Sequence, residues 1–161
     1  RAVLDRVDQL GCHRAELTGG EPLLQPDAGR LLTALCDAGC ETLLETNGSL
    51  DVAAVDPRVV RIVDFKCPSS GFAPSNRYQN ATHLTQRDEV KFVIADRADF
   101  DFARDRTTAL GLLDRCPVIF SPVAGRLEPS RLARWILESG LDVRLGLQLP
   151  KIIWPGRQRG V

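Results

Sequence analysis

The chain has 161 residues, no Met and five Cys, and 43% of its residues are hydrophobic and 26% charged. This length and composition suit one globular domain and exclude a disordered or collagen-like chain, and no apolar run reaches the roughly 18 residues of a membrane span. Lys and Arg together number 21 and balance 21 Asp and Glu, so the charge pattern indicates neither a nucleic-acid partner nor a membrane partner. No secretory signal is recognised, which favours a cytoplasmic protein with free thiols.

The beginning of the chain suggests an incomplete protein. Arg1 stands within a helical pattern, and the absence of Met is unusual for a whole gene product. We therefore expect a single domain over 1–161 that is shortened at its N-terminus.

Helix-like and strand-like segments alternate along the chain. In chain order, the patterns predict a helix at 1–10, a strand at 13–17, a helix at 27–38, strands at 41–46, 59–66 and 89–95, a mostly helical stretch at 100–114, a strand at 117–122, a helix at 129–139 and a strand at 142–149. This alternation predicts parallel pairing through right-handed crossovers, in an α/β sheet or barrel. The segment 67–87 has no clear period, and a loop of that length in a compact domain is usually functional.

Four predicted strand ends carry Gly or Pro together with small polar residues. They are TGGEP at 18–22, ETNG at 45–48, KCPSSG at 66–71 and SPVAG at 121–125. Such residues are common in any turn. However, the carboxyl ends of parallel strands share one edge of the sheet, which is where ligands bind. Their repetition at that edge therefore favours a ligand site.

The segment TGGEP is the most informative of the four. Its two glycines let backbone groups face a ligand, and Glu21 adds a carboxylate that suits an ammonium group. The segment lacks the spacing of phosphate-binding loops, and its acidic residue would repel phosphate.

This segment resembles the motif with which radical S-adenosylmethionine (SAM) enzymes hold the amino group of the methionine moiety. The chain also contains ETNGSL (45–50), DFKCPSSG (64–71), DEVKFVIAD (88–96), FSPVAGRLEP (120–129) and WPGRQRGV (154–161). In this order and spacing, the motifs resemble the 7-carboxy-7-deazaguanine synthase family over the whole chain. The resemblance implies an α/β fold, a partial (open) TIM-like barrel of parallel strands of the radical SAM type, here lacking its first βα unit.

The resemblance also implies a reaction and its cofactors. The family carries out a radical ring contraction of 6-carboxy-5,6,7,8-tetrahydropterin to 7-carboxy-7-deazaguanine with loss of ammonia, a carbon–nitrogen lyase reaction in queuosine and other 7-deazapurine biosynthesis. The implied cofactors are S-adenosyl-L-methionine, a 4Fe-4S cluster and Mg²⁺. The implied partners are the pterin substrate, a flavodoxin or similar reductant and a second copy in a homodimer.

Site residues follow from the same resemblance, position by position. The SAM-binding residues would be Gly19, Gly20, Glu21, Asn47, Cys67, Pro68, Ser69, Ser121, Pro122, Val123 and Ala124. Thr18 and Gln148 would contact the substrate, and 45–47 would form the pocket floor. Lys66 and Lys91 each interrupt an apolar strand, so each is either a functional cation or an edge residue whose stem reaches solvent.

Two features depart from the family pattern. The family's cysteine-rich cluster loop, with its neighbouring magnesium-binding Thr, precedes the helix at which this chain begins, so we expect no metal ligands here and an inactive fragment. Cys36 and Cys40 have a CxxxC spacing but lie after TGGEP and have no third cysteine. We interpret them, together with Cys12 and Cys116, as small core residues. Pro150 stands where the family often has His.

Two alternatives stay open at this point. The chain could be another radical SAM enzyme or an activating enzyme with a different substrate, although the run WPGRQRGV favours the first interpretation. It could also be a cluster-free remnant that only binds a ligand, which the absent cysteine loop supports.

Overall fold

Six strands and five helices form the framework of the molecule. The computed structural model describes residues 1–154, so most of the WPGRQRGV run, 155–161, lies outside the described residues. The strands are β1 (Arg14–Leu17), β2 (Glu41–Thr46), β3 (Val60–Phe65), β4 (Glu89–Ile94), β5 (Val118–Pro122) and β6 (Arg144–Leu145). The helices are α1 (Ala2–Leu10), α2 (Ala28–Asp37), α3 (Arg97–Ala109), α4 (Pro129–Ser139) and α5 (Leu149–Ile153).

The strands form one parallel sheet in the order β1-β2-β3-β4-β5-β6. Helices α2, α3 and α4 connect β1 to β2, β4 to β5 and β5 to β6, whereas the segments between β2 and β4 contain loops and 3₁₀ turns. The sheet is open, with β1 and β6 at its edges. The predicted parallel α/β architecture with an open barrel is therefore confirmed.

Helix ends follow local sequence signals. The α4 bounds agree with the prediction, because Pro129 begins the helix and Gly140 ends it in the left-handed conformation (φ 67°). Helix α3 begins three residues earlier than predicted, since the side chain of Asp96 accepts a hydrogen bond from Asp99 N at 3.0 Å and caps it. None of the helices formed by 1–154 has the length and apolar character needed to cross a bilayer.

The main core lies on one face of the sheet. Phe92 and Phe120 project from β4 and β5 with ring centroids 5.8 Å apart, and Phe120 contacts Phe100 of α3 at 5.8 Å. Trp135 of α4 extends this aromatic cluster at 5.6 Å from Phe100. Because side chains alternate along a strand, the residues between these aromatic side chains face the opposite side of the sheet, where the polar positions collect.

The prediction of a strand at 142–149 is wrong for most of its length. Pairing with β5 stops after Leu145. At the next residue, Gly146, an added Cβ would stand 2.5 Å from Ile119 Cγ2 and 2.7 Å from Ser121 Oγ, so the main chain passes β5 at very close range. Pro150 then occupies the first turn of α5, where its fixed φ favours a helix.

Two further predictions need refinement. Cys12 is exposed rather than a core residue, because it follows α1, a helix with no buried residue. Its thiol donates a hydrogen bond to Arg14 O at 3.3 Å. Cys116 and Cys67 are buried, whereas Cys36 and Cys40 are partly buried. The long segment 67–87 contains three 3₁₀ turns, at Pro68–Ser70, Ala73–Ser75 and Tyr78–His83.

Candidate functional site

Gly19 and Gly20 form the turn that follows β1. Both have a left-handed backbone, with φ of 95° and 53°, and nothing lies within 4 Å of the position of an added Cβ at either residue. Glycine adopts this conformation without steric cost. Both residues are exposed at the carboxyl edge of the sheet, so a ligand can approach their main chain closely.

The carboxylate of Glu21 is bound inside the protein. It accepts hydrogen bonds from Thr46 Oγ1 at 2.8 and 2.9 Å, from Asn47 N at 2.7 Å and from Leu23 N at 3.1 Å. Only 8% of Glu21 is exposed. These bonds join the turn after β1 to the end of β2. Glu21 thereby positions the glycine turn, and its contact with a ligand ammonium group stays a prediction.

The end of β2 separates the three residues predicted to form the pocket floor. Glu45 lies on the sheet face opposite the core and lines a cleft there. Thr46 points to the other face and bonds Glu21, because side chains alternate along the strand. Asn47 Oδ1 accepts a hydrogen bond from Ser49 N at 2.9 Å and so shapes the following turn.

A cleft of about 770 Å³ covers the sheet face opposite the core. It is lined by Thr18, Glu45, Ile62, Glu89, Lys91, Ile119, Ser121, Gly146, Leu147, Gln148, Leu149, Pro150 and Lys151. The cleft therefore brings together the two predicted substrate residues, Thr18 and Gln148. Its volume is within the usual range for small-molecule sites.

Lys91 is a charged residue on the floor of this cleft. Its Nζ lies 2.8 Å from Glu45 Oε1, and Thr18 Oγ1 donates to Glu45 Oε2 at 3.5 Å. Burial of the ammonium group opposes its charge, but the hydrogen bond and charge of Glu45 outweigh it and raise the pKa of Lys91. Lys91 is therefore a paired cation inside the cleft. This placement is the one expected if Lys91 is a functional cation rather than an edge residue whose stem reaches solvent.

A similar ion pair lies on β3, the strand next to β4. Lys66, directly after β3, pairs with Asp64 of that strand. Lys66 Nζ lies 2.6 Å from Asp64 Oδ2. Burial raises the pKa of the Asp64 carboxyl, while the charges of Lys66 and Lys91 partly oppose this shift. The second oxygen, Asp64 Oδ1, is buried and accepts no hydrogen bond from any residue of 1–154.

A smaller cavity of about 340 Å³ adjoins the cleft. Its lining residues are Asp64, Lys66, Cys67, Ser69, Ser70, Lys91, Val93, Val123, Arg126 and Gln148. Three of the predicted SAM residues, Cys67, Ser69 and Val123, meet there. Lys91 and Gln148 line both spaces, so ligands in the two spaces would be neighbours.

Asp99 of α3 holds the turn that carries Ser69. Ser69 N donates to Asp99 Oδ1 at 3.0 Å, and Ser69 Oγ donates to Asp99 Oδ2. Ala95 N donates to the same carboxylate at 3.0 Å, from the residue after β4. This buried carboxylate thus fixes one wall of the smaller cavity. Burial raises the pKa of the nearby Cys67 thiol, so Cys67 lines the cavity as a neutral group.

Other predicted site residues are distributed differently. Ser121 lines the large cleft. Seven of the predicted SAM residues line neither space: Gly19, Gly20, Glu21, Asn47, Pro68, Pro122 and Ala124. Within 1–154, no three His, Cys, Asp or Glu side chains are grouped so that they could hold a metal ion.

Asp64 and Asp99 are not among the residues selected from the sequence. Asp64 offered a signal, because a carboxylate inside the strand VRIVDF must be paired or face a site. Asp99 offered none, since an acidic residue in the first turn of a helix is ordinary. Only the tertiary structure brings Ser69 to it.

Curated relatives resemble this chain over most of its length, although no family model matches it. The 7-carboxy-7-deazaguanine synthase of Chlorobaculum tepidum is 46% identical over 162 residues, covering 99% of this chain and 74% of the relative. That of Koribacter versatilis is 45% identical over 160 residues, covering 91% of this chain and 71% of the relative. These relatives support membership of the 7-carboxy-7-deazaguanine synthase family over the alternative of another radical SAM enzyme.

Solved structures agree on the fold. QueE from Escherichia coli matches with a TM-score of 0.66 and 19% identity, covering 91% of this chain and 61% of that one. Streptococcus suis SuiB bound to S-adenosylmethionine matches with a TM-score of 0.65 and 12% identity, covering 98% of this chain and 44% of that one. The identities with the curated relatives, over nearly the whole chain, show that it belongs to the 7-carboxy-7-deazaguanine synthase family of radical SAM enzymes.

Proposed function

We propose that this chain supplies the SAM and substrate pockets of an enzyme that converts 6-carboxy-5,6,7,8-tetrahydropterin to 7-carboxy-7-deazaguanine with loss of ammonia. The observation that carries the proposal is the pair of adjoining spaces on the sheet, which share Lys91 and Gln148. Hydrogen abstraction from one ligand by another requires that the two lie side by side. The curated relatives bear the name of this reaction's product.

The residues of this chain fit SAM at two places. The exposed backbone of Gly19 and Gly20 suits the methionine moiety, because its groups can bond both the ammonium and the carboxylate. The smaller cavity suits the nucleoside, with Ser69 and Val123 in its wall. When bound, SAM supplies the group that abstracts a substrate hydrogen.

The larger cleft suits the reduced pterin. Glu45 and Gln148 offer acceptors for ring N–H groups, and Thr18 Oγ1 can donate or accept. The Lys91 ammonium group, although paired with Glu45, brings positive charge towards the substrate carboxylate. In this arrangement Glu45 orients both Thr18 and Lys91, so these side chains act as one unit.

Residues 1–154 do not fit a 4Fe-4S cluster, because they contain no group of three His, Cys, Asp or Glu side chains that could hold it, and we assign no residue of this part of the chain to Mg²⁺. We derive no step through either group. We also propose that the chain as given is inactive, and that the enzyme depends on Mg²⁺ and is a carbon–nitrogen lyase. The same proposal includes a homodimer and reduction by a flavodoxin-like protein. It further includes a cytoplasmic location and the absence of nucleic-acid or membrane partners.

The test uses the full-length gene product after anaerobic iron–sulfur reconstitution, incubated with SAM, a reductant and the carboxytetrahydropterin. We expect 5′-deoxyadenosine and 7-carboxy-7-deazaguanine by mass spectrometry. Thr18→Val should raise the KM for the pterin, because it removes a cleft hydroxyl while keeping the side-chain shape. Thr108→Val, at an exposed position of α3, is the matched control. Formation of 5′-deoxyadenosine only at background level would contradict the proposed reaction.

A further inference from the structure

Two buried side-chain oxygens accept no hydrogen bond from any residue of 1–154. They are Asp64 Oδ1 and Gln148 Oε1, and both residues line the smaller cavity. Buried polar atoms in folded proteins are almost always satisfied, so such atoms require an explanation. Both atoms are hydrogen-bond acceptors, and Gln148 also lines the larger cleft.

Asp64 has this orphaned oxygen because its neighbours bond elsewhere. Lys66 Nζ takes Oδ2 at 2.6 Å. Lys91 is the register partner of Asp64 on β4, but its Nζ reaches Glu45 on β2 at 2.8 Å. Asp64 is only 8% exposed, so solvent satisfies little of the remaining demand. Leaving a charged oxygen in this condition is costly unless a ligand bonds it.

Gln148 lines the smaller cavity together with Asp64 and also lines the larger cleft. It follows β6 and precedes α5, and its own carbonyl accepts from Lys151 N at 3.0 Å, which fixes the backbone there. Its buried amide oxygen, like Asp64 Oδ1, accepts no hydrogen bond from any residue of 1–154.

We propose that Asp64 and Gln148 form an acceptor pair that receives hydroxyl or N–H donors of a ligand in the smaller cavity that both residues line. An anionic ligand group cannot bond either oxygen, because both oxygens are acceptors. Lys66 neutralises Asp64 without occupying Oδ1, which keeps the acceptor in place. This inference rests on the proposed function, which supplies two sources of donors: the ribose hydroxyls of SAM and the ring N–H groups of the reduced pterin.

The test is ligand-observed NMR titration of the 161-residue chain under anaerobic conditions. One arm uses adenosine, 2′-deoxyadenosine and 3′-deoxyadenosine. The other arm uses 6-carboxy-5,6,7,8-tetrahydropterin and oxidised 6-carboxypterin, which lacks the N–H groups of the reduced ring. Each arm thus compares a ligand that has the donor with one that lacks it.

Four variants report on the acceptors. Asp64→Asn and Gln148→Leu each remove one acceptor, whereas Gln148→Glu keeps an acceptor oxygen at the same reach. Gln79→Leu, at an exposed position outside both spaces, is the matched control. Thermal unfolding checks that each variant folds, and the two acceptor residues can be judged separately if one variant does not.

We expect Asp64→Asn and Gln148→Leu to weaken binding of the donor-bearing ligand roughly tenfold, with little effect on its donor-lacking analogue. Gln148→Glu should retain more of the binding than Gln148→Leu, because it keeps an acceptor oxygen, and Gln79→Leu should bind as the parent does. Loss confined to adenosine assigns the donors to ribose, and loss confined to the tetrahydropterin assigns them to the ring.

Equal affinity of parent and folded variants for all five compounds would overturn the acceptor pair while leaving the proposed function intact. If the parent binds neither adenosine nor the tetrahydropterin, the proposed function fails and the acceptor pair fails with it.

Discussion

Asp88 and Asp64 are buried carboxylates at opposite ends of the same two strands, β3 and β4. Asp88, at the amino-terminal end, accepts bonds from Arg61 N, Nε and Nη2 and from Thr85 N and Oγ1, at 2.7 to 3.1 Å. Asp64, near the carboxyl end, accepts one bond, from Lys66 Nζ at 2.6 Å. The two carboxylates differ in how completely the protein satisfies them.

Their protonation equilibria differ in the same way. Burial opposes ionisation of Asp88, but its bonds with Arg61 and Thr85 outweigh burial and lower its pKa. Burial dominates at Asp64 and raises its pKa. A satisfied carboxylate at one end of the sheet thus stabilises the fold, while the incompletely satisfied one lines the smaller cavity.

The largest expected effect is the loss of the Asp88 cluster. Asp88→Ala leaves the Arg61 guanidinium buried without its partner, so we expect the free energy of unfolding to fall by about 3 to 5 kcal/mol. Urea denaturation measures this change. Asp51→Ala, which breaks an exposed pair with Arg77, is the control and should cost about 1 kcal/mol or less. A similar loss in both variants would contradict the distinction between the two ends of the sheet.

Asp99 shows that the carboxyl end also contains a satisfied carboxylate. Asp99→Ala removes acceptors for Ser69 and for Ala95 N, so we expect a loss of about 1 to 3 kcal/mol in the free energy of unfolding. Hydrogen exchange should quicken at Ser69 N and Ala95 N in particular. Unchanged exchange at these two amides would show that Asp99 does not hold the wall of the smaller cavity.

The pH dependence of stability should have opposite signs for the two carboxylates. The pKa of Asp88 is lowered from 3.8, so its stabilising contribution is present above pH 3.8 and is lost as pH falls through the folded-state pKa. The pKa of Asp64 is raised from 3.8, so its contribution is present below pH 3.8 and is lost as pH rises through the folded-state pKa.

Acid titrations of stability for Asp88→Asn and Asp64→Asn measure these contributions by difference from the parent. We expect the stability of Asp64→Asn relative to the parent to rise with pH, and that of Asp88→Asn to fall. Parallel curves for the two variants would refute the contrast.

The smallest expected effect is the stability of Asp64→Asn at neutral pH. The Lys66 pair that it weakens is partly exposed, and removing the charge relieves a buried ionised group. These opposing effects should leave the free energy of unfolding within about 1 kcal/mol of the parent value. A larger loss by urea denaturation would mean that Asp64 stabilises the fold as Asp88 does.

Much of the fold could be predicted because its signals are local. The bounds of β2 and α4 agree with the sequence patterns, since the two-residue strand period, Pro129 and Gly140 act within a few positions of each element. The short β6 could not be predicted in this way. Its pairing ends before Gly146, which approaches Ile119 and Ser121 of β5 too closely for a side chain, and this is a contact between distant parts of the chain.

The candidate site shows the same difference between local sequence signals and contacts between distant parts of the chain. The sequence by itself determined the alternating strands and helices, the glycine turn at 18–22 and the family motifs, because these depend on residue type and on spacing along the chain. The tertiary structure decided which polar groups are satisfied: Glu21 bonds Thr46 25 residues away, Ser69 bonds Asp99 30 residues away and Lys91 bonds Glu45 46 residues away. Whether a carboxylate is saturated depends on partners that only folding brings within bonding distance, which is why the unpartnered oxygen of Asp64 is visible only in the folded chain.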